Sequence, residues 1–417
     1  MAEGDGPDAR TTAEAVARRS YGKLVAFLAS RTRDVAAAED ALADAFAAAL
    51  ADWPANGVPD NPEGWLVTAA RRRSIDAARR HRTAEAGEMH LTLLAEELEE
   101  AMAETASVPD ERLRLMFACA HPAIDAAIRA PLILQAVLGF DAAAIGSAFL
   151  VAPATMGQRL VRAKARIREA GIPFRVPDAD ELGPRLEAVL DAIYAAFAEG
   201  WTDAAGTEAR RRNLADEAIW LGRLVTQLLP DEPEALGLLA LMLHAEARRA
   251  ARRDAGGAYV PLSAQDTARW NDALIDEAER LLHRAAEMGR IGRYQVEAAI
   301  QSAHVVRRRT GSSDWRAIVT LYDALLALTG SPVAAVNRAI ALAETEGPAI
   351  AIAALDALAD DRRLAEYQPW WAARAELLAR AGRVAEASAA YGRAIGLEPD
   401  PAVRDFLTRR RMALAAH

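Results

Sequence analysis

Asp141 to Arg168 reads DAAAIGSAFLVAPATMGQRLVRAKARIR, and the spacing of its apolar residues decides the fold class. Ala142, Ile145 and Phe149 put small and apolar groups on one face of a short helix, and the stretch from Leu150 to Pro153 breaks the pattern. A second helix starts at Pro153, where a missing amide costs no hydrogen bond, and Thr155 supplies a hydroxyl in its first turn. Met156, Leu160, Ala163 and Ile167 then recur at helical spacing as a buried stripe. That stripe leaves Gln158, Arg159, Arg162, Lys164, Arg166 and Arg168 directed mostly outward. Two short helices so arranged, the second of them basic, form a helix-turn-helix. Arg bridges the acceptors of guanine, Gln pairs with adenine and any cation holds phosphate, so this second helix is chemically suited to a DNA major groove. The alternative for the same residues is a solvated basic helix face.

The chain has 417 residues, more than one hydrophobic core usually organises, so two or three domains are expected. It is 52% hydrophobic, rich in Ala and Leu, and only 6% aromatic, with almost no strand signals, which gives an all-α class. The single cysteine, Cys119, excludes an internal disulfide and a cysteine-based zinc site and fits a reducing cytoplasm. No apolar run approaches a membrane span, and the N-terminal MAEGDGPDARTTAE lacks the hydrophobic core of a signal peptide. A cytoplasmic protein with no membrane partner is therefore expected. A net charge of -9 excludes indiscriminate coating of nucleic acid, so DNA binding has to come from local basic patches. His81, His90, His121, His244, His283 and His304 form neither a metal spacing nor a nucleophile pair, and no Gly-rich phosphate loop accompanies the helical carboxylates. No catalytic residue, metal or cofactor is expected, and the protein is not read as an enzyme.

The N-terminal part reads as three packed helices, Ala13 to Arg31, Ala36 to Trp53 and Pro62 to Arg82. Asn61 can cap the third, with Pro62 in its first turn. That helix carries Trp65, Leu66, Ala69, Ala70, Ile75 and Ala78 on its inner side and Arg71, Arg72, Arg73, Arg79, Arg80 and Arg82 largely outside, a second basic face. Trp65 reads as an anchor beneath the Arg face, with base stacking the alternative. On the second helix Glu39, Asp40 and Asp44 lie within about one and a half turns and suit a basic partner surface, or are simply solvated. Glu85 to Asp110 is acidic and weakly periodic, a linker whose Glu96, Glu97, Glu99 and Glu100 either face solvent or lie in a basic channel of a larger assembly.

Together these parts resemble the extracytoplasmic-function class of sigma factors, the compact promoter-reading subunits of RNA polymerase. The resemblance covers roughly residues 12 to 175. Ala38-Glu39-Asp40-Ala41-Leu42-Ala43-Asp44-Ala45-Phe46 is similar to the family's Ala-Glu-Asp-(apolar)2-Gln-(acid)-(small)-Phe helix, with Ala43 at the Gln position. Gly64-Trp65-Leu66-Val67-Thr68-Ala69-Ala70-Arg71-Arg72-Arg73-Ser74-Ile75-Asp76 is similar to its Trp-Leu-x-x-Ile-Ala-Arg-Asn-x-x-Ile-Asp helix, with Arg72 at the Asn position. Thr155 to Arg166 stands in place of the family's Thr-Val-x-Ser-Arg-(apolar)-x-Arg-(Ala/Gly) motif, with Gln158 at the Ser position. The resemblance implies sigma region 2 over 12–82, a linker over 83–110 and the sigma region 4 helix-turn-helix over 111–172. It implies contact with core RNA polymerase by Glu39, Asp40, Leu42, Asp44 and Phe46. Recognition of the promoter -10 element is implied for Asn61, Trp65, Arg71, Arg72, Arg73, Asp76, Arg79 and Arg80, and of the -35 element for Thr155, Gln158, Arg159, Arg162, Lys164 and Arg166. Capturing unstacked bases needs cations and pockets, which the turn-rich Trp53 to Glu63 loop and the Arg-lined helix provide. Duplex reading needs a rigid helix in the major groove.

Gly171 to Pro177 then reads as a hinge, followed by a helical module over 178–310 and tetratricopeptide-like repeats over 311–410, an α-solenoid. Trp371, Ala375, Leu378, Gly382, Ala387, Tyr391, Ala394 and Pro399 fit one repeat, Ala339, Leu342, Ala351 and Leu355 the one before, and Ala317, Leu321 and Ala324 an earlier second helix. Leu214 to Leu229 and the segment PDEPEALGLLALMLHAEARRAARR form a helix pair, and Arg253 to Pro261 a longer loop. The extension resembles that of a sigma-factor subgroup through Glu199-Gly200-Trp201, Glu217 to Arg223 and Leu229 to Met242, with Ala198 where that subgroup has Asn. Helical repeats leave a concave groove that serves binding more often than catalysis, so the extension is expected to regulate activity in cis, and the resemblance adds a small DGPF-type protein as a candidate partner. A ligand-responsive helix-turn-helix regulator with a repeat sensor is the alternative, and it leaves the Arg-rich third helix unexplained.

Overall fold

The computed structural model describes residues 9–81, 110–149, 151–202 and 209–414. Among them every named element is helical, with one isolated bridge pairing Arg253 and Tyr259. The expected all-α class holds. The chain divides into two compact units, Met1–Gly200 and Trp201–His417. The acidic stretch from residue 83 to 109, with Glu96, Glu97, Glu99 and Glu100, lies outside the described residues.

In the first unit α1 (Ala9–Thr32), α2 (Val35–Asn56) and α3 (Pro62–His81) form a three-helix bundle. Asp34 caps α2 by accepting from the Ala37 amide at 3.0 Å, and Asn61 caps α3 by accepting from Gly64 at 3.0 Å, as its position predicts. Ala38, Ala41, Leu42, Ala45, Ala49 and Trp53 are the buried face of α2. The middle of α1, Leu24 to Ala29, is buried on all sides, because α1 also carries α4 (Arg112–Cys119) and α5 (Ala126–Leu138) on its far flank. Gly22 makes that second contact: a Cβ there would sit 1.7 Å from the Val137 carbonyl oxygen.

The helix-turn-helix follows as α6 (Ala142–Ala148) and α7 (Pro153–Glu169). Asp141 caps α6 through the Ala144 amide at 2.8 Å. Gly146 permits the tight turn, because a Cβ would meet the Val151 carbonyl at 2.6 Å. Met156, Leu160, Ala163 and Ile167 are all buried, as the spacing predicts. Gly171, at φ +59°, ends α7, with Ile172 buried behind it. Helix α8 (Ala179–Thr202) carries the chain on, so the boundary between units falls within a helix and not at the Gly171–Pro177 stretch.

The second unit contains α9 (Ala209–Leu228) and α10 (Pro233–Glu246), the latter buried from Ala235 to His244 by α9, α11 (Asp272–Glu287) and α12 (Arg293–Val305). Glu234 of α10 caps α12, accepting from Tyr294 at 2.9 Å and Gln295 at 3.1 Å. Beyond it α13 (Trp315–Thr329), α14 (Pro332–Thr345), α15 (Pro348–Asp356), α16 (Gln368–Arg380), α17 (Val384–Leu397) and α18 (Pro401–Ala413) each pack on the next, a solenoid-like stack. Small residues lie where helices touch: Ala339, Ala351, Ala375, Ala387 and Ala394 are fully buried beside Leu355 and Tyr391.

Candidate nucleic-acid interface

An α-helix turns about 100° per residue, so the side chains of α7 sort by angle. Thr155, Gln158, Arg159, Arg162 and Arg166 fall on one stripe, and all five are exposed. They are held rigidly by the four apolar side chains packed beneath. Lys164 departs from expectation. It lies about 180° from Thr155, on the flank bordering the buried stripe, and its ammonium meets Glu39 of α2 at 2.5 Å. Both side chains are largely enclosed, at 11% and 16% exposure. Arg168, one turn further on the same flank, reaches the second oxygen of Asp34 at 3.2 Å while the first caps α2. Lys164 is therefore enclosed against α2, while Arg168 reaches α2 from a side chain that stays largely exposed.

The acidic helix α2 is correspondingly divided. Burial raises the Glu39 carboxyl above its ordinary value, with the Lys164 hydrogen bond and charge pulling the other way. Asp40 and Asp44 are exposed, and Asp44 lies 3.6 Å from Arg73 of α3. Phe46 is half-buried. Leu42, expected at a partner surface, is fully buried in the bundle, because it shares the α2 face of Ala38, Ala45 and Ala49. Burial first, and then the charges of Glu39 and Asp40, push the Tyr21 hydroxyl of α1 up to about 12.

On α3, Trp65 packs edge-on against Trp53 at 5.6 Å, so it anchors the helix. Arg72 and Arg73 are exposed and Arg71 is half-buried. Asn61 is exposed, with its side-chain oxygen engaged in the cap. The start of α3 is fixed to α1 through Glu63, which accepts from Ser20 at 2.5 Å and Lys23 at 3.0 Å. Those bonds outweigh its burial and lower its pKa. The side chains of Asp76, Arg79 and Arg80 lie outside the described residues.

The geometry thus brings two basic faces and an acidic helix into one unit, with the acidic helix α2 latched to the flank of α7. Asp34 takes part in this closed arrangement and Gly22 sets the packing of α1 on α5, and neither was expected from sequence. Among the described residues no cluster of His, Cys, Asp and Glu could hold a metal ion, and no helix is long and apolar enough to cross a membrane. His121 accepts from the Ala123 amide at 3.1 Å, a turn-forming role.

Residues 16–84 match Sigma-70 region 2, and residues 185–286 match a family of unknown function (DUF6596). An uncharacterized protein of Rhizobium meliloti (strain 1021) is 40% identical over 389 residues, covering 92% of this chain and 91% of its own length. No solved structure matches significantly.

Proposed function

The chain belongs to the family of that Rhizobium meliloti protein and is a sigma-70 family factor by its region 2, and on this premise we propose a specific mode of promoter recognition. Region 2 implies binding to core RNA polymerase and promoter DNA in transcription initiation, not catalysis by the chain itself. In the proposed mode, α3 and the loop before it engage the -10 element through Arg71, Arg72 and Arg73. Helix α7 enters the major groove at the -35 element through Thr155, Gln158, Arg159, Arg162 and Arg166. Asp40, Asp44 and an unlatched Glu39 meet polymerase, in the manner of an extracytoplasmic-function factor acting in the cytoplasm.

The observation that carries this reading is the exposed polar stripe of α7, rigidly backed and following a matched region 2 in the same unit. Reconstituted transcription with core polymerase on a promoter library tests it. Initiation from templates sharing two spaced elements is expected. Failure both to associate with polymerase and to start RNA chains would refute it, and a single-site regulator would bind DNA without binding polymerase.

For the C-terminal extension the proposal is control in cis by tetratricopeptide-like repeats. Stacked helices with small residues at their contacts present binding surfaces more often than catalytic ones. A small DGPF-type protein is the proposed external partner. Equal promoter output from the full chain and from one ending at Gly200, at equal protein level, would remove the regulatory claim.

A further inference from the structure

Helix α10 ends at Glu246, and the following turns carry Arg248, Arg249, Arg252 and Arg253. Three of these have evident partners. Arg249 pairs with Glu246 at 2.8 Å, Arg253 pairs with Asp400, and Arg252 donates to the Trp201 carbonyl at 2.7 Å while stacking on its ring. Arg248 differs. It is 8% exposed, and its Nη2 donates to Gln301 at 2.5 Å, but its Nη1 is enclosed without an acceptor. Among the described residues no carboxylate pairs with it. Its charged neighbours are Arg252 and Arg307, so burial first and then these two cations lower its pKa to about 10, with Tyr322 acting weakly the other way.

Trp270 lies beside both cations. The guanidinium carbon of Arg248 is 6.0 Å from its ring centre and that of Arg307 is 5.6 Å. Trp270 is 4% exposed, and its Nε1 also lacks an acceptor. Arg307 spends its own donors on the carbonyls of Leu262 and Gln265, at 2.8 and 2.6 Å, so it is a fixed charge and not a mobile one. His304, half-buried near Arg248 and Arg307, is pushed down to about 4, chiefly by desolvation, and adds no positive charge at neutral pH.

Two buried donors, Arg248 Nη1 and Trp270 Nε1, thus lie in one neighbourhood with an excess of cations, and neither has an acceptor among the described residues. Enclosing an uncompensated charge is costly, and the fork of an arginine matches an oxyanion. We propose that Arg248 and Trp270, with Arg252 and Arg307 around them, bind a compact oxyanion, the phosphate or carboxylate group of a small ligand. The site lies within the second unit and does not depend on the promoter-binding reading.

Thermal unfolding of the full chain in sodium phosphate and in sodium citrate, each against sodium chloride at equal ionic strength, tests the proposal. A saturable rise in Tm is expected with at least one oxyanion, and the stronger response identifies phosphate or carboxylate as the source. Arg248→Met is expected to abolish the response and, without oxyanion, to melt at or above the wild-type temperature, because it removes a cation from among cations. Trp270→Phe keeps the packing and is expected to weaken the half-saturation concentration at least about tenfold, the effect of one hydrogen bond to a charged group. Identical wild-type melting in all three salts would overturn the proposal, even if Arg248→Met failed to fold. A response that grows without saturation and survives Arg248→Met would also overturn it, showing nonspecific salt effects only.

Discussion

Replacing Lys164 with Gln strikes the contact between the acidic helix α2 and α7. The ion pair it removes is 2.5 Å long and mostly enclosed, at 11% and 16% side-chain exposure. Removing one partner of a fully buried pair costs about 3–5 kcal/mol, largely because the other charge is stranded. With Glu39 keeping some access to water and free to take up a proton, the expected cost is about 2–3 kcal/mol of the closed arrangement. Such a change raises the ratio of open to closed chains by roughly 30- to 150-fold. Removing both charges, in Glu39→Gln with Lys164→Gln, should restore most of the loss, since burial already disfavours the Glu39 carboxylate. The two substitutions should therefore be strongly non-additive, with a coupling of about 1–2 kcal/mol.

Energy transfer between labels attached to exposed positions on α2 and α7 reads the opening directly, and buried Cys119 does not compete for the labels. Hydrogen exchange of the α7 amides is the independent measure, with faster exchange expected in Lys164→Gln alone. A coupling below about 0.5 kcal/mol, with transfer efficiency and exchange unchanged, would show that this contact does not hold the two helices together.

Four further outcomes follow from the same geometry. Gly22→Ala places a methyl 1.7 Å from the Val137 carbonyl oxygen, so α1 and α5 must separate, and a loss of about 1–3 kcal/mol is expected in chemical unfolding of the first unit. Arg162→Ala should cost about 1–3 kcal/mol at one promoter position if it reads a base, or lower the salt dependence of binding by about one ion if it holds a phosphate, and quantitative footprinting at several salt concentrations separates the two. Ala387→Leu overfills the fully buried contact between α16 and α17 and should cost about 1–3 kcal/mol, seen as a lower melting temperature. Burial lowers His244 to about 3 and His304 to about 4, so stability is complete above about pH 6.5 and falls as the pH drops towards 4. Proton uptake on unfolding at pH 5 should therefore decrease by close to one proton in His304→Gln, measured by calorimetry in buffers of different ionisation heat.

Local periodicity made much of the fold legible before any coordinates. Met156, Leu160, Ala163 and Ile167 had to share a face, and Asn61 before Pro62 had to begin a helix, because each pattern is completed within a turn or two of chain. Contacts that span long separations were not legible. Lys164 and Glu39 are 125 residues apart, and nothing local distinguishes a lysine facing solvent from one facing another helix. Its angular position was the available signal, since it sits across the helix from Thr155. A glycine in the middle of α1 was another, because its helix penalty implies a compensating close approach, here to Val137. Arg248 falls in the segment whose spacing predicts a helix pair, and only the fold that encloses Trp270 shows it to be interior.

The latch also has a directional consequence. It leaves Thr155, Gln158, Arg159, Arg162 and Arg166 exposed while occupying Glu39, Lys164 and Arg168. What the closed unit withholds is thus mainly the carboxylate proposed to meet polymerase, not the face proposed to read DNA. A polymerase surface that takes Glu39 strips Lys164 of its partner and leaves an unpaired cation on α7, adding to the positive charge of the helix proposed to meet the promoter. Binding of the two macromolecules should then be coupled: core polymerase should strengthen the chain's grip on an isolated -35 duplex, and Lys164→Gln should reduce that enhancement by removing the released charge. By linkage the same duplex must tighten polymerase binding by the same factor. Equal duplex affinity with and without polymerase would mean that opening the latch contributes nothing to promoter recognition.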